Sequence, residues 1–201
     1  MRTVAVREDI RDLILDAADR LLARYGFKKM TMDDLAQEVG IAKGTIYLHF
    51  SSKEEVALSR IDRVIVRLCK ELRKLSCSDE NPDVRLREML ITRVMFRFDN
   101  VQLYAENIDE QLAAIRPALQ FRREKYFEEE AQIFAKILQE GKQQKVFFFR
   151  DAHYTAPSLI VATNALLPSN LKASEFGKRQ VVKERISQIS QILVCGLSVR
   201  N

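Results

Sequence analysis

Histidine and cysteine are scarce in this chain of 201 residues, which holds two of the first and three of the second. No apolar run reaches the ~18 residues that a membrane span requires. These shortages remove several kinds of function. An enzyme needs a nucleophile with its base, a metal cluster or a phosphate-binding loop, and no glycine-rich phosphate loop occurs. His153, beside Tyr154, has no cysteine or carboxylate at ligand spacing, so it reads as a helix-start or core histidine. Cys69, Cys77 and Cys195 are an odd number without metal-ligand spacing, which points to reduced thiols, with a redox-sensing pair Cys69/Cys77 left open. Neither a metal nor a cofactor is expected. No charged-then-apolar leader opens the chain and no internal repeat or low-complexity tract interrupts it, so the expectation is a cytoplasmic protein without a membrane partner.

What is present describes an ordinary globular chain, with 47% hydrophobic and 30% charged residues. The net charge of +5 and pI near 9.1 suit a nucleic-acid partner. Lys+Arg 33 against Asp+Glu 28 is nevertheless a mild excess that many enzymes share.

Helical periodicity runs almost throughout. Arg7 to Tyr25 carries Ile10, Leu13, Ile14, Ala17, Ala18, Leu21 and Leu22 on one stripe, opposite a charged face with Asp12, Asp16 and Arg20, and Gly26 stands where the helix should stop. From Ser52 a second stripe continues through Ile61, Val64, Ile65, Leu68, Leu72 and Leu75. Ser76 to Pro82, SCSDENP, is the clearest break. Helices are then expected over Val84 to Phe98, Val101 to Ile115 and Pro117 to Gln143, since proline is accepted at a helix start. KVFFFR, Lys145 to Arg150, reads as a loop whose phenylalanines plug into the core. Asp151 caps the next segment, which runs to about Leu167 with Pro157 as a kink or a late start. Ser174 to Leu197 is the final helix, and the acidic run Glu128-Glu129-Glu130 reads as a solvated face.

The informative stretch is Thr31 to Glu55, TMDDLAQEVGIAKGTIYLHFSSKEE. Thr31 and Asp34 make a capping box for a helix starting near Met32. Leu35, Ala36 and Val39 share a face, and Gly40 can take the left-handed conformation that ends the helix. Lys43 to Phe50 makes only about two turns, far below the ~12 to 15 residues an isolated helix needs, so Ile46 and Phe50 must hold it by packing. Its other face is left for a target. Gly44, Thr45 and Leu48 point away from that core, with Tyr47 and His49 on the flanks and Lys43 in the first turn. Such a face suits a DNA groove: Gly44 permits close approach, Thr45 can hydrogen-bond base edges, Leu48 can touch a thymine methyl and Lys43 can reach phosphate or guanine. Ser51 and Ser52, three residues before Glu54 and Glu55, offer two overlapping capping boxes, and Lys53 in that first turn adds positive charge to an anion site.

The segment from about Arg7 to Val56, above all Gly40-Ile41-Ala42-Lys43-Gly44-Thr45-Ile46-Tyr47-Leu48-His49-Phe50-Ser51-Ser52-Lys53-Glu54-Glu55, resembles the DNA-binding domain of the tetracycline-repressor (TetR) family of bacterial transcription regulators. One departure is Ala42, where many members carry the serine or threonine cap of the recognition helix. The resemblance implies an all-α protein, with a three-helix helix-turn-helix domain at residues 1–55 and a helical effector-binding and dimerisation domain at 56–201. It implies DNA contacts from Thr31, Lys43, Gly44, Thr45, Tyr47, Leu48, His49 and Lys53. The aromatic middle of the chain reads mostly as core, but the resemblance lets Phe96, Phe98, Tyr104, Phe121, Tyr126 and Phe127 line an apolar pocket for a lipophilic small-molecule effector. Val182, Ile186, Ile189, Leu193 and Leu197 form a stripe that is either buried against its own subunit or, as the resemblance implies, the homodimer interface. The expected function is a regulator, more often a repressor, that binds palindromic operator DNA. A helical ligand-binding module without operator recognition and a small helical enzyme are the alternatives.

Overall fold

The computed structural model describes residues 2–101, 108–167 and 178–198, and these form eight α-helices. They are α1 (Arg2–Lys29), α2 (Met32–Val39), α3 (Lys43–His49), α4 (Lys53–Ser76), α5 (Pro82–Val101), α6 (Ile108–Gln143), α7 (Ala152–Thr163) and α8 (Arg179–Leu197), with a single 3-10 turn at Asn164–Leu166 after α7. The chain divides into two compact units, Met1–Arg63 with Leu103–Leu119, and Val64–Gln102 with Gln120–Asn201.

In the first unit, Ile14, Ala17, Ala18, Leu21 and Leu22 of α1 are buried as their spacing requires, whereas Leu13 is exposed and Leu15 takes a place in the core. Gly26 breaks α1 with φ 74 and ψ 169, which an L side chain resists, and a last turn follows to Lys29. Phe27 and Met30 close the core against Leu35, Ile46, Phe50 and Val56. The charged face of α1 is not simply solvated. Arg63 of α4 donates to Asp16 at 2.7 Å and Asp19 at 2.8 Å, and lies 3.5 Å from Asp12, while the buried Arg60 pairs with Asp19 through Nε at 2.6 Å. The acidic i, i+4, i+7 positions of α1 thus form a ladder for the start of α4.

In the second unit, α5 packs chiefly on α8, with α7 touching both. Its core is Leu68, Leu72, Leu86, Met89, Phe98, Phe134, Leu138, Ile160 and Ile186. Pro117 lies inside α6 rather than at a helix start, so the two helices expected on either side of it become one from Ile108. Proline there gives up one backbone bond to the preceding turn, a loss a long helix can bear. Asp151 caps α7 as expected, accepting from the His153 amide at 2.7 Å, and Pro157 is contained within that helix. Of the three phenylalanines in KVFFFR, Phe147 is buried, Phe149 is half-buried and Phe148 is exposed. The segment is tied down by a bridge from Phe147 to Ser198, with the Phe148 amide donating to the Leu197 carbonyl at 2.7 Å.

The acidic run also differs from expectation. Glu128 is exposed, but Glu130 is buried between two arginines of α5, accepting from Arg93 Nε at 2.6 Å and from Arg97. Arg93 further donates to Thr163 Oγ1 at 2.8 Å and to Asn164 Oδ1 at 2.7 Å, which joins α5, α6 and the end of α7. Burial lowers the Arg93 guanidinium to about 10, against the attraction of Glu130, so it stays charged at neutral pH. Glu130 is therefore not part of a solvated face.

Candidate nucleic-acid interface

The helix-turn-helix is built from local chemistry. Thr31 is extended at φ −119 and its hydroxyl accepts from the Asp34 amide at 3.1 Å, while Asp34 accepts from the Thr31 amide at 2.9 Å. These reciprocal bonds satisfy amides that the first turn leaves free. At the other end Gly40 is left-handed at φ 76, ψ 34, and donates to the Ala36 and Gln37 carbonyls. Three residues later α3 begins. Its N-cap Ala42 has the extended backbone of a cap and makes no side-chain bond. The helix is held instead by Ile46, which is 0% exposed, and by Phe50 just after it, which is 1% exposed.

The face opposite Ile46 is open. Leu48 is 79% exposed and Tyr47 47%, and no atom would meet a Cβ placed on Gly44 within 4 Å. Thr45 and His49 are half-buried, so Tyr47 and Leu48 stand out further than Thr45 does. Thr31 and Lys43 are exposed on neighbouring turns. Lys43 pairs with Asp33 of α2 at 2.8 Å, and this hydrogen bond raises the affinity of its ammonium for the proton. Both partners are solvated, so the pair holds little energy against a competing phosphate.

Lys53 has a different place from the one expected. Its ammonium donates to the carbonyls of Phe27 at 3.2 Å, Lys28 at 3.3 Å and Met30 at 3.4 Å, and lies 4.8 Å from the centre of the Phe27 ring. An ammonium has three donors, and each has a carbonyl partner here. Lys53 is the cap of the last turn of α1, a role the sequence does not signal because its partners lie more than twenty residues away. At the start of α4, Ser52 Oγ accepts from the Glu55 amide at 3.2 Å and Glu55 accepts from the Ser51 amide at 2.6 Å. One shared box therefore replaces the two overlapping ones.

Elsewhere the expected residues are scattered. Phe98 is core, Phe96, Tyr126 and Phe127 are half-buried, Phe121 is 87% exposed, and Tyr104 lies outside the described residues. A groove of about 620 Å³ between α5 and α8 is lined by Arg87, Glu88, Ile91, Ser187, Gln188, Gln191 and Ile192, none of them among those aromatics. On α8, Val182 and Ile186 are buried inside their own subunit, and Ile189, Leu193 and Leu197 are half-buried. The apolar residues that α8 leaves exposed are Val181 and Ile192. Cys69 and Cys77 do not form a pair: both are free thiols, Cys69 buried in α4 and Cys77 exposed in the turn after it. Among the described residues no group of His, Cys, Asp and Glu could hold a metal ion, and no helix is long and apolar enough to cross a membrane.

A short, capped helix, a left-handed glycine turn and a second short helix with one solvent-facing side define a helix-turn-helix module. Comparison with known proteins agrees: residues 14–59 match the family described as bacterial regulatory proteins, tetR family. That match covers the helix-turn-helix segment of the chain. It is similar to the uncharacterised HTH-type transcriptional regulator YhgD of Bacillus subtilis, 30% identical over 119 residues, which are 56% of this chain and 60% of that protein. The chain thus spans less than two thirds of that relative's length. Among solved structures it resembles a transcriptional regulator from Cytophaga hutchinsonii, TM-score 0.73 at 20% identity, over 94% of this chain and 98% of that one. It also resembles SmeT, solved as a complex with triclosan, TM-score 0.64 at 16% identity, over 95% of this chain and 92% of that one. These two likenesses are of fold.

Proposed function

We propose that the chain is a DNA-binding transcriptional repressor that reads a palindromic operator as a homodimer and is released by a lipophilic small molecule. The observation that carries this reading is the free face of α3. Gly44, Tyr47 and Leu48 are exposed together on a helix too short to stand alone, with Thr31 and Lys43 beside them. An exposed leucine and tyrosine on a helix held by packing need a surface to meet, and the major groove admits one helix of this kind per half-site.

Binding-site selection from random duplex DNA with the purified protein tests this. Enrichment of a palindrome with half-sites about one helical turn apart, or a multiple of it, is the expected outcome. Recovery of unselected DNA would leave a helical ligand-binding module without operator recognition.

Support for the effector is the likeness to SmeT, solved with triclosan, together with the half-buried Phe96, Tyr126 and Phe127. An effector can release DNA only by binding one conformation better than the other. A lipophilic compound that raises the melting temperature should therefore also weaken operator binding. Stabilising compounds that leave DNA affinity unchanged would speak against the coupling.

A further inference from the structure

We infer that Arg11 is a positioning residue for the recognition helix, through which α4 sets the direction in which α3 presents its outer face. The inference rests on the operator-reading function above.

The need for such a residue follows from how α3 is held. It has seven residues, its N-cap Ala42 supplies no side-chain bond, and within the helix only Ile46 is buried. Seven residues cannot sustain a helix by themselves, and one buried side chain fixes its position better than its rotation. Arg11 acts on the last turn. Its Nη1 donates to the His49 carbonyl at 3.1 Å, its Nη2 donates to Ser59 Oγ at 2.9 Å, and its guanidinium carbon lies 4.3 Å from the centre of the Phe50 ring. A single planar cation thus joins the C-terminal end of α3, the C-cap residue and α4.

Each contact suits arginine in particular. The end of a helix carries partial negative charge on its open carbonyls, which a cation stabilises. The rigid fork of the guanidinium can serve two acceptors while its face stacks on an aromatic ring, whereas an ammonium is a point charge. The anchor at the other end is also firm. Ser59 is buried, and the next residue, Arg60, is held by Asp19, with Arg63 on Asp16 and Asp19 one turn further. Arg11 is the first rung of this ladder between α1 and α4, and it also reaches α3. A shift of α4 along α1 would carry Ser59 with it and strain the bond to the end of α3. Arg11 is half-buried, so its cation is spent within the protein instead of on a phosphate.

The consequence is a residue that controls specificity more than charge. Arg11→Ala, Arg11→Lys and Ser59→Ala are compared with the parent protein on the operator selected by the parent and on a scrambled duplex of the same length, across a salt series. Arg11→Ala should lose about tenfold or more in affinity for the operator, the scale of one misplaced base contact, with little change on the scrambled duplex and an unchanged salt slope. Arg11→Lys should recover part of the loss, and Ser59→Ala, which keeps the charge at position 11, should reproduce part of it. Equal losses on both duplexes with a shallower salt slope would make Arg11 a phosphate contact and overturn the assignment. An unchanged ratio of operator to scrambled affinity in folded Arg11→Ala would overturn it too. Amide exchange without DNA gives a second reading: the Phe50 amide, bonded to the Ile46 carbonyl at 2.9 Å, should exchange faster in Arg11→Ala and Ser59→Ala, while Leu35 in α2 is unchanged. If Phe50 and Leu35 respond alike, Arg11 supports the whole unit and positions nothing. Should the parent select no operator, the proposed function fails, and the exchange measurement still decides whether Arg11 holds α3.

Discussion

At the scale of single residues, the cations of the helix-turn-helix divide by what their nitrogens already bind. Lys43 is held by a solvated Asp33, so it can exchange that partner for phosphate, whereas Lys53 is bonded to three carbonyls at 3.2 to 3.4 Å. Lys43→Ala should make the slope of log K against log salt shallower by about 2 for a dimer, at roughly 0.9 per phosphate, and weaken all sequences alike. Lys53→Ala should instead lower the melting temperature, because it strips the carbonyls of Phe27, Lys28 and Met30 of a charged donor. Thr45→Ala should cost roughly 1 to 3 kcal/mol on the selected operator and leave the salt slope nearly unchanged. Binding of the three variants to operator and random DNA over a salt series checks this, and a Lys53→Ala slope as shallow as that of Lys43→Ala would return Lys53 to the phosphates. Cys69 permits a test of a different kind. Desolvation, with Glu129 and Glu130 nearby, pushes its thiol from the ordinary 9.0 to about 11. The folded state then binds a proton more tightly than the unfolded one between these values, so this group's contribution to stability is intact below pH 9 and falls as pH rises to about 11. Cys69→Ser should flatten that part of the stability profile. In the native protein at neutral pH, alkylation should reach the exposed Cys77 and Cys195 and spare Cys69.

Elements were legible wherever their signal is local. The capping box of Thr31 and Asp34, the left-handed Gly40 and the apolar pair Ile46 and Phe50 depend on residues within a few positions of one another, and all stand where the pattern places them. What sequence reading missed depends on partners far along the chain: Glu130 faces Arg93 and Arg97, Lys53 reaches back to Phe27, and Asp12, Asp16 and Asp19 meet Arg63. Charged residues along one helix read as a solvated face in the sequence, because nothing in one helix reveals the other. Signals did exist, since Arg93 and Arg97 repeat at one helical turn inside an otherwise apolar run. The helix break expected at Pro117 failed for another reason: proline costs one bond and does not forbid a helix that is long enough to continue. The departure at Ala42 gives the test at this scale. Its backbone is already extended, at φ −66 and ψ 143, and no side chain serves the free amides of the first turn of α3. Ala42→Ser should supply that acceptor and stabilise the protein by about 1 kcal/mol, a rise in melting temperature of about 2 to 4 °C for a chain of this size. Thermal unfolding decides it, and an unchanged or lowered midpoint would mean that the cap bond does not form.

For the whole molecule, the proposed function asks how one short helix could read a long site. A single α3 covers a few base pairs, and two held at a fixed spacing multiply their selectivity, because the second contact then forms at high local concentration. The surface proposed to hold two copies must be one that a single chain leaves uncovered. That condition removes Val182 and Ile186, which are 3% and 0% exposed within their own subunit, and favours the neighbouring face of α8, where Ile192 is 71% and Val181 38% exposed. Eleven residues separate these two, three helical turns, so they lie on one side of the helix. On α7, which touches α8, Tyr154 at 79% and Val161 at 58% stand two turns apart on one side in the same way. Two helices, each with a solvated apolar edge, match what a symmetric contact between copies requires. Ile192→Asp should then give a folded monomer, since the charge costs nothing in water but on the order of several kcal/mol when buried without a partner. Ile186→Asp, in contrast, should unfold the protein. Light scattering with circular dichroism separates these outcomes. The monomer should retain its helix content and its weak binding to random DNA while losing most of its affinity for the palindrome, because each half-site must then be found alone. A folded dimer of Ile192→Asp would place the contact between copies on another face.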